Sequence, residues 1–381
     1  MNIRKVFFNQ IKRKIDSAFT RSDVAPQADS DELLRIAKLH DVLHLMDGCL
    51  SEDYLQVKQD IASKISKAQM TAIYRHLTQE NALEQVCALF EKEGIPFMPL
   101  KGSIIRAYYP EPWMRTSCDI DILVKEEDAE RASEALCRSL AYTFEKRMTH
   151  DISLYSPAKV HLELHFRMGD DEKVSSIFSG VWEKASIKEG TQYHHIMDHD
   201  SFAAYHFAHM AEHFVHGGCG VRPFIDLWIM KHKMAYNVAI VREMLSQAKL
   251  DAFMEKAVAL YEVWFEDAEH TPLTEEMESY IMQSGIYGTT ENRVAIAQAN
   301  KGGKLRYVLG RIFLPYSRLV LYYPALKRHP VLFPFYQMKR WLRIVFTKDR
   351  KYAMNELRHN ASVSEDKQAR LVGMCEELGL I

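Results

Sequence analysis

The sequence lacks any stretch of about 18 uninterrupted apolar residues, the length a membrane-spanning helix needs, so no spanning helix is expected. It also lacks a Cys-x-x-Cys pair. Its six cysteines, at 49, 87, 118, 137, 219 and 375, stand singly. That excludes a zinc ribbon and a thioredoxin-type redox motif, and it suits a reducing compartment. No fixed-period repeat is visible. The opening MNIRKVFFNQIKRKIDSAF carries a charge every few positions and has no apolar h-region, so a secretory signal is not expected and the reading is cytoplasmic. Net charge is nearly absent, at −2 over 381 residues, with 47% hydrophobic and 26% charged residues. Such a chain is neither disordered nor collagenous nor dependent on disulfides, and its length suits two or three domains.

The small net charge hides an asymmetry. Residues 301–351 hold 13 Lys or Arg against one acid, Asp349, so this segment carries +12 and the rest of the chain −14. The same segment has ten aromatics, among them Tyr307, Phe313, Tyr316, Tyr322, Tyr323, Phe333 and Trp341. Basic and aromatic residues together suit RNA, a phosphate-rich ligand or a membrane surface. The plainer reading is a helical segment with aromatics turned inward and cations paired with the acidic remainder. Prolines at 315, 324, 330 and 334 divide it into short helices, and burial of most of its aromatics is the expectation.

Periodicity assigns a short basic amphipathic helix to 3–19, a linker to 22–31 and a helical run from Glu32 to about Glu93, ended by Gly94 and Pro96. The period then changes. Residues 95–100 and 119–124 read as strands, EEDAERASEALCRSL as a helix, and AYTFEKRM, HDISLYS and 159–167 as further strands. This is an α+β unit with a mixed sheet. Beyond about 198 the chain reads as helical, over 199–216, 222–234, 237–266 and 273–284, with glycines at 285, 288, 302 and 303 breaking the next stretch.

Asp119 and Asp121 stand two apart in a strand, so both leave one face while Ile120, Ile122 and Val124 leave the other. Two carboxylates this close repel each other unless a divalent cation lies between them, and Mg²⁺ favours one or two protein carboxylates with phosphate oxygens and water. His161, Glu163 and His165 share a face of a later strand, and Glu163 joins the aspartates if that strand is a neighbour. Upstream, Gly102-Ser103 opens a short helix, where a bare backbone and free N–H donors can meet phosphate. Alone, Asp-x-Asp reads as two solvated acids and Gly-Ser as a turn. Together, in this order, they supply the parts of metal-dependent phosphoryl or nucleotidyl transfer.

Leu100-Lys101-Gly102-Ser103, Tyr109-Pro110, the run from Arg115 to Val124 and the Glu-Leu-His of 163–165 resemble the uncharacterised bacterial nucleotidyltransferase family of the polymerase-beta-like superfamily. The resemblance covers about 70–235. It implies a nucleotidyltransferase-type sheet core over 94–197, preceded by helices over 1–93 and followed by a helical domain over 198–300. Residues 301–381 would be a basic aromatic helical tail packed on the core. It further implies Mg²⁺- or Mn²⁺-dependent transfer of a nucleoside monophosphate from a nucleoside triphosphate to an acceptor hydroxyl, with the acceptor unnamed. Asp119, Asp121 and Glu163 would be the catalytic and metal-binding acids. Lys101, Gly102, Ser103 and Arg115 would bind the nucleotide. Lys101 could instead be a solvated cation, and Arg115 could pair with Asp119. The other readings are a non-catalytic nucleotide binder or regulator and a peripheral membrane or RNA-binding protein.

A rival enzyme class comes from His206, His209, His213 and His216, which lie on one helical face. His209-Met210-Ala211-Glu212-His213 matches the His-x-x-Glu-His of inverted zincins. A short pattern arises easily among 17 histidines, so this zinc-peptidase reading ranks low. Arg222 and Asp226, four apart on a helix, read as a surface salt bridge, with ligand contact as the alternative.

Overall fold

The computed structural model describes residues 3–16, 18, 30–46, 59–169, 171–347 and 349–381. Most of the linker reading, 22–29, and part of the first helical run, 47–58, fall outside the described residues. Chain contacts divide the protein into two compact units. One comprises Met1–Met210 and Val221–Glu278, the other Ala211–Gly220 and Ser279–Ile381. Among the described residues, no helix is long and apolar enough to cross a membrane.

The first unit opens with α1 (Ile3–Ile15), α2 (Ser30–Leu39) and the long α3 (Gln59–Glu93). A strand β1 (Phe97–Pro99) follows, then one turn of helix α4 (Gly102–Ile105) and β2 (Asp119–Val124). After α5 (Ala129–Leu140) come β3 (Thr143–Arg147), β4 (Asp151–Tyr155) and β5 (His161–His165). The sheet order is β1-β2-β5-β4-β3. Among the paired strands of this sheet, β2–β5 is parallel and the others antiparallel, so this is the mixed α+β sheet expected from the strand pattern. The apolar alternates of β2, β4 and β5, from Ile120 to Leu164, bury against Val86 and Phe90 of α3 and Ala132, Ala135 and Leu136 of α5. Each such aliphatic side chain contributes roughly 1.5–3 kcal/mol. Burying that face leaves the sheet's other face to the polar alternates.

Two short helices, α6 (Glu172–Ile177) and α7 (Val181–Lys184), lead to a small hairpin of β6 (Ser186–Ile187) and β7 (His195–Ile196). Two-residue strands carry too little pattern to be read from sequence. Helices α8 (His199–Val215) and α9 (Arg222–Lys233) fall where periodicity puts them. The expected helix over 237–266 is two, α10 (Val238–Ser246) and α11 (Asp251–Phe265). Lys249 between them has φ 61°, a left-handed turn with no glycine or proline to announce it. Helix α12 (Pro272–Ser284) bridges the sequence into the second unit.

The second unit contains α13 (Thr290–Asn300), α14 (Lys304–Ile312), α15 (Tyr316–Tyr322), α16 (Phe333–Phe346), α17 (Asp349–Ser362) and α18 (Glu365–Glu377). Gly288 has φ 69°, and a Cβ there would lie 2.3 Å from the Gly217 carbonyl carbon, so only glycine lets these two loops meet. Gln298 Nε2 donates to the Asn360 carbonyl at 3.0 Å and to its Oδ1 at 2.8 Å, joining α13 to α17. The expected burial of aromatics in 304–346 holds for Tyr307 but fails for Phe313, Tyr316, Tyr322, Phe335 and Phe346, which are exposed. Short helices separated by prolines bury one narrow stripe each. Here the stripe is the small core of Leu314, Leu319, Val320 and Leu326.

Candidate active site

Because β2 and β5 run parallel and in register, Asp121 sits opposite Glu163, Asp119 opposite His161 and Leu123 opposite His165. Antiparallel β4 adds Ser153 opposite Glu163 and Asp151 opposite His165. Period-two geometry therefore gathers Asp119, Asp121, His161, Glu163, His165, Asp151 and Ser153 on the face away from the apolar core. Two sets of donor atoms lie within 4.8 Å of one another: Asp119, His161 and Glu163, and Asp121, Glu163 and His165. The three carboxylates offer the hard oxygens that Mg²⁺ or Mn²⁺ takes, so the donor set fits such a cation.

Asp121 is the buried centre. Its Oδ1 accepts from Lys101 Nζ at 2.8 Å and from His165 Nε2 at 2.8 Å. Burial alone would raise its pKa, but the Lys101 charge and the His165 bond outweigh it and hold the carboxyl well below the usual range. Asp119 goes the other way. Burial, and then repulsion from Asp121, push it up to about 6. His165 bonds Glu163 as well, at 3.5 Å from Oε2, and this contact is the main reason the Glu163 carboxyl is lowered. A cation bound between the carboxylates would remove the repulsion that Asp119 registers.

The turn that supplies Lys101 is strained. The Leu100 N–H donates to the Asp121 carbonyl at 2.9 Å, and the Ser103 N–H closes back onto the Leu100 carbonyl at 3.1 Å. Lys101 is left with φ 45° and ψ −119°, a conformation glycine would adopt without cost. The strain puts Nζ on Asp121 and starts α4 at Gly102 and Ser103 beside the acids. Arg106 braces this turn: Nε donates to the Gly102 carbonyl at 2.9 Å and Nη2 to Ser117 Oγ at 2.8 Å. Burial, and then the Arg115 charge, bring the Arg106 pKa down to about 10.

Arg115 is elsewhere. Its Nε lies 2.8 Å and 2.9 Å from the two Asp226 carboxylate oxygens, and its Nη2 2.8 Å from Oδ2. Tyr109 donates to Asp226 Oδ1 at 2.6 Å. Asp226 is fully buried. The expected Arg222–Asp226 surface pair is therefore replaced by a buried Arg115–Asp226 pair, and Arg222 donates to the Thr116 carbonyl at 2.6 Å. An i, i+4 spacing carries no information on a partner 111 residues away, which won by burial.

In the histidine face, His206 bonds the Pro223 carbonyl and His216 the Glu212 carbonyl, while His213 is exposed. Among the described residues, the groups able to hold a metal are the two in the sheet, and no histidine of α8 belongs to either. Sequence reading left out His165 as a partner of Asp121 and Arg115 as the partner of Asp226, and also Arg106 and Asp151. Asp151 and Ser153 alternate in HDISLYS as His161, Glu163 and His165 do in β5, and that signal was available.

A family model described as an uncharacterised nucleotidyltransferase matches residues 26–266. Among solved structures, one similar chain is that of the antibiotic-resistance factor ANT(2'')-Ia. It is 12% identical, with a TM-score of 0.28 and coverage of 50% of this chain and 91% of that one. Another is the Thermotoga maritima CCA-adding enzyme complexed with tRNA, at 11% identity, a TM-score of 0.23 and coverage of 78% and 81%. Both likenesses are too slight to carry residues across. No curated protein matches.

Proposed function

The chain belongs to the uncharacterised nucleotidyltransferase family, and from that premise we propose that it transfers a nucleoside monophosphate from a nucleoside triphosphate to a hydroxyl of a small molecule or protein. The observation that carries the reading is the register of β2 on β5, which brings Asp121 opposite Glu163 with Asp119 two residues before it. In this reading Asp119, Asp121 and Glu163 hold Mg²⁺ or Mn²⁺. The bound cation supplies Lewis-acid charge stabilisation for phosphoryl oxygens. Lys101 and His165 lock the Asp121 carboxylate in one orientation. Gly102 and Ser103 meet the triphosphate at the braced turn, and Lys101 lends it charge. Glu163, kept anionic by His165, holds negative charge on the acceptor side and favours the deprotonated hydroxyl. Arg115 orients the loop before β2 through Asp226, in place of the phosphate contact expected from the resemblance.

Calorimetric titration tests this without an acceptor. The wild type should bind a non-hydrolysable triphosphate only with Mg²⁺ or Mn²⁺ present, and Asp119→Asn and Asp121→Asn should lose that dependence. Equal binding with and without the cation, or unchanged binding in both variants, overturns the assignment. Pyrophosphate release separates an enzyme from a non-catalytic binder.

A further inference from the structure

The second unit contains a cavity of about 690 Å³ that the nucleotidyl-transfer reading does not use. Its walls come from α14, the α14–α15 connection, α15, α16 and α17. Four arginines, Arg311, Arg318, Arg340 and Arg343, face it against one carboxylate, Glu356. That carboxylate is already engaged: Arg311 Nη2 bonds it at 2.6 Å, and Tyr307 donates its hydroxyl to it. Among the described residues Arg318 makes no side-chain hydrogen bond or ion pair.

One wall is held rigid. Trp341 Nε1 donates to the Ile312 carbonyl at 2.7 Å, and Phe313 meets the indole edge-on at 5.4 Å. Arg340 bonds the carbonyls of Ile312 and Arg311, at 3.1 Å and 2.9 Å. Arg340 is thus tied to neutral carbonyls and keeps its charge for a ligand. Tyr322 and Tyr352 line the same space and are 51% and 78% exposed. Mutual repulsion marks the surplus charge: Arg340 is lowered by burial and then by Arg311, and Lys301 by burial and then by Arg311 and Arg318.

We infer that this cavity is a separate binding site for a phosphate monoester carried on an aromatic or apolar body. A concavity of this volume fits a compact ligand of nucleotide size. Planar guanidinium groups take up phosphate oxygens in pairs, and Tyr and Trp faces stack on the body. The inference stands apart from the sheet carboxylates, since every residue it uses lies in Ser279–Ile381.

The test titrates 1-naphthyl phosphate into the full chain and follows Trp341 fluorescence, with a Trp341→Phe variant identifying the signal. Saturable binding is expected, and 1-naphthol and inorganic phosphate should each bind about tenfold more weakly or worse, because each supplies half of the recognition. Arg318→Ala with Arg343→Ala should weaken naphthyl phosphate binding about tenfold or more at an unchanged melting temperature, whereas Asp121→Asn should not. Should the paired variant melt early, Arg318→Gln alone, at an exposed position, carries the same comparison with a smaller loss. Absence of saturable binding, equal affinity in the arginine variants, or loss of binding in Asp121→Asn overturns the inference. Sedimentation with phosphatidic acid vesicles then names the source. Arginine-dependent sedimentation assigns the ester to a lipid headgroup, and its absence assigns it to a soluble phosphate.

Discussion

Removing Asp226 should unmask an uncompensated cation inside the first unit. Its carboxylate is fully buried and accepts from Tyr109 and Arg115 at 2.6–2.9 Å. Arg115 keeps only 14% of its side chain exposed and is held above its ordinary pKa, against burial, by Asp226. Removing one partner of a buried ion pair costs about 3–5 kcal/mol. With about 2–4 °C of melting temperature per kcal/mol for a domain of this size, Asp226→Ala should melt roughly 10 °C lower. Arg115→Met should cost a similar amount, since it strands the carboxylate. Replacing both, Asp226→Ala with Arg115→Met, should cost less than the two single changes together by about 2 kcal/mol or more. Thermal and urea unfolding of the four proteins at neutral pH supplies the comparison. Strict additivity, or an Asp226→Ala shift under about 2 °C, would refute the pairing. Arg115→Met that melts normally but binds triphosphate about tenfold more weakly would return Arg115 to the phosphate.

Glu163→Gln should slow pyrophosphate release far more than it weakens triphosphate binding, because Glu163 lies on β5 while the turn at Gly102 and Ser103 lies beside β2; calorimetry showing lost binding in a folded variant would contradict that role. His194, brought down to about 4 by burial and then by Lys188, stays neutral in the folded protein where the unfolded chain takes up a proton. Its contribution is therefore present above pH 6.5 and lost as pH falls toward 4, so His194→Gln should flatten the melting-temperature profile across that window, and an unchanged slope would count against it. Deleting 304–381 removes α17 and α18 from α13 and uncovers Val294, Ala295 and Ile296, so the remnant should aggregate or lose cooperative unfolding; a soluble, cooperatively melting 1–303 fragment would show that the tail is dispensable.

Period-two alternation alone determined that Asp119 and Asp121 share a face, that His161, Glu163 and His165 share another, and that the alternate residues form a core. Side-chain direction along a strand is a local property of backbone pleating, and the β2 boundaries were legible for the same reason, whereas β5 is two residues shorter at each end than the pattern over 159–167. Helices α8, α9 and α12 were legible from amphipathic spacing and their breakers. Only the tertiary structure decided that β5 is the parallel neighbour of β2, and thus that Glu163 faces Asp121 at all. It also decided the partner of Arg115, whose Nε lies 2.8 Å from the buried Asp226 carboxylate, while Arg222 donates to the Thr116 carbonyl. The φ of Lys101 and the break at Lys249 were hidden because neither residue favours positive φ; each is imposed by the contacts its neighbours make. The exposure of Phe313, Tyr322 and Phe346 was hidden too. Burial depends on what the rest of the chain brings to a helix, which no local pattern encodes.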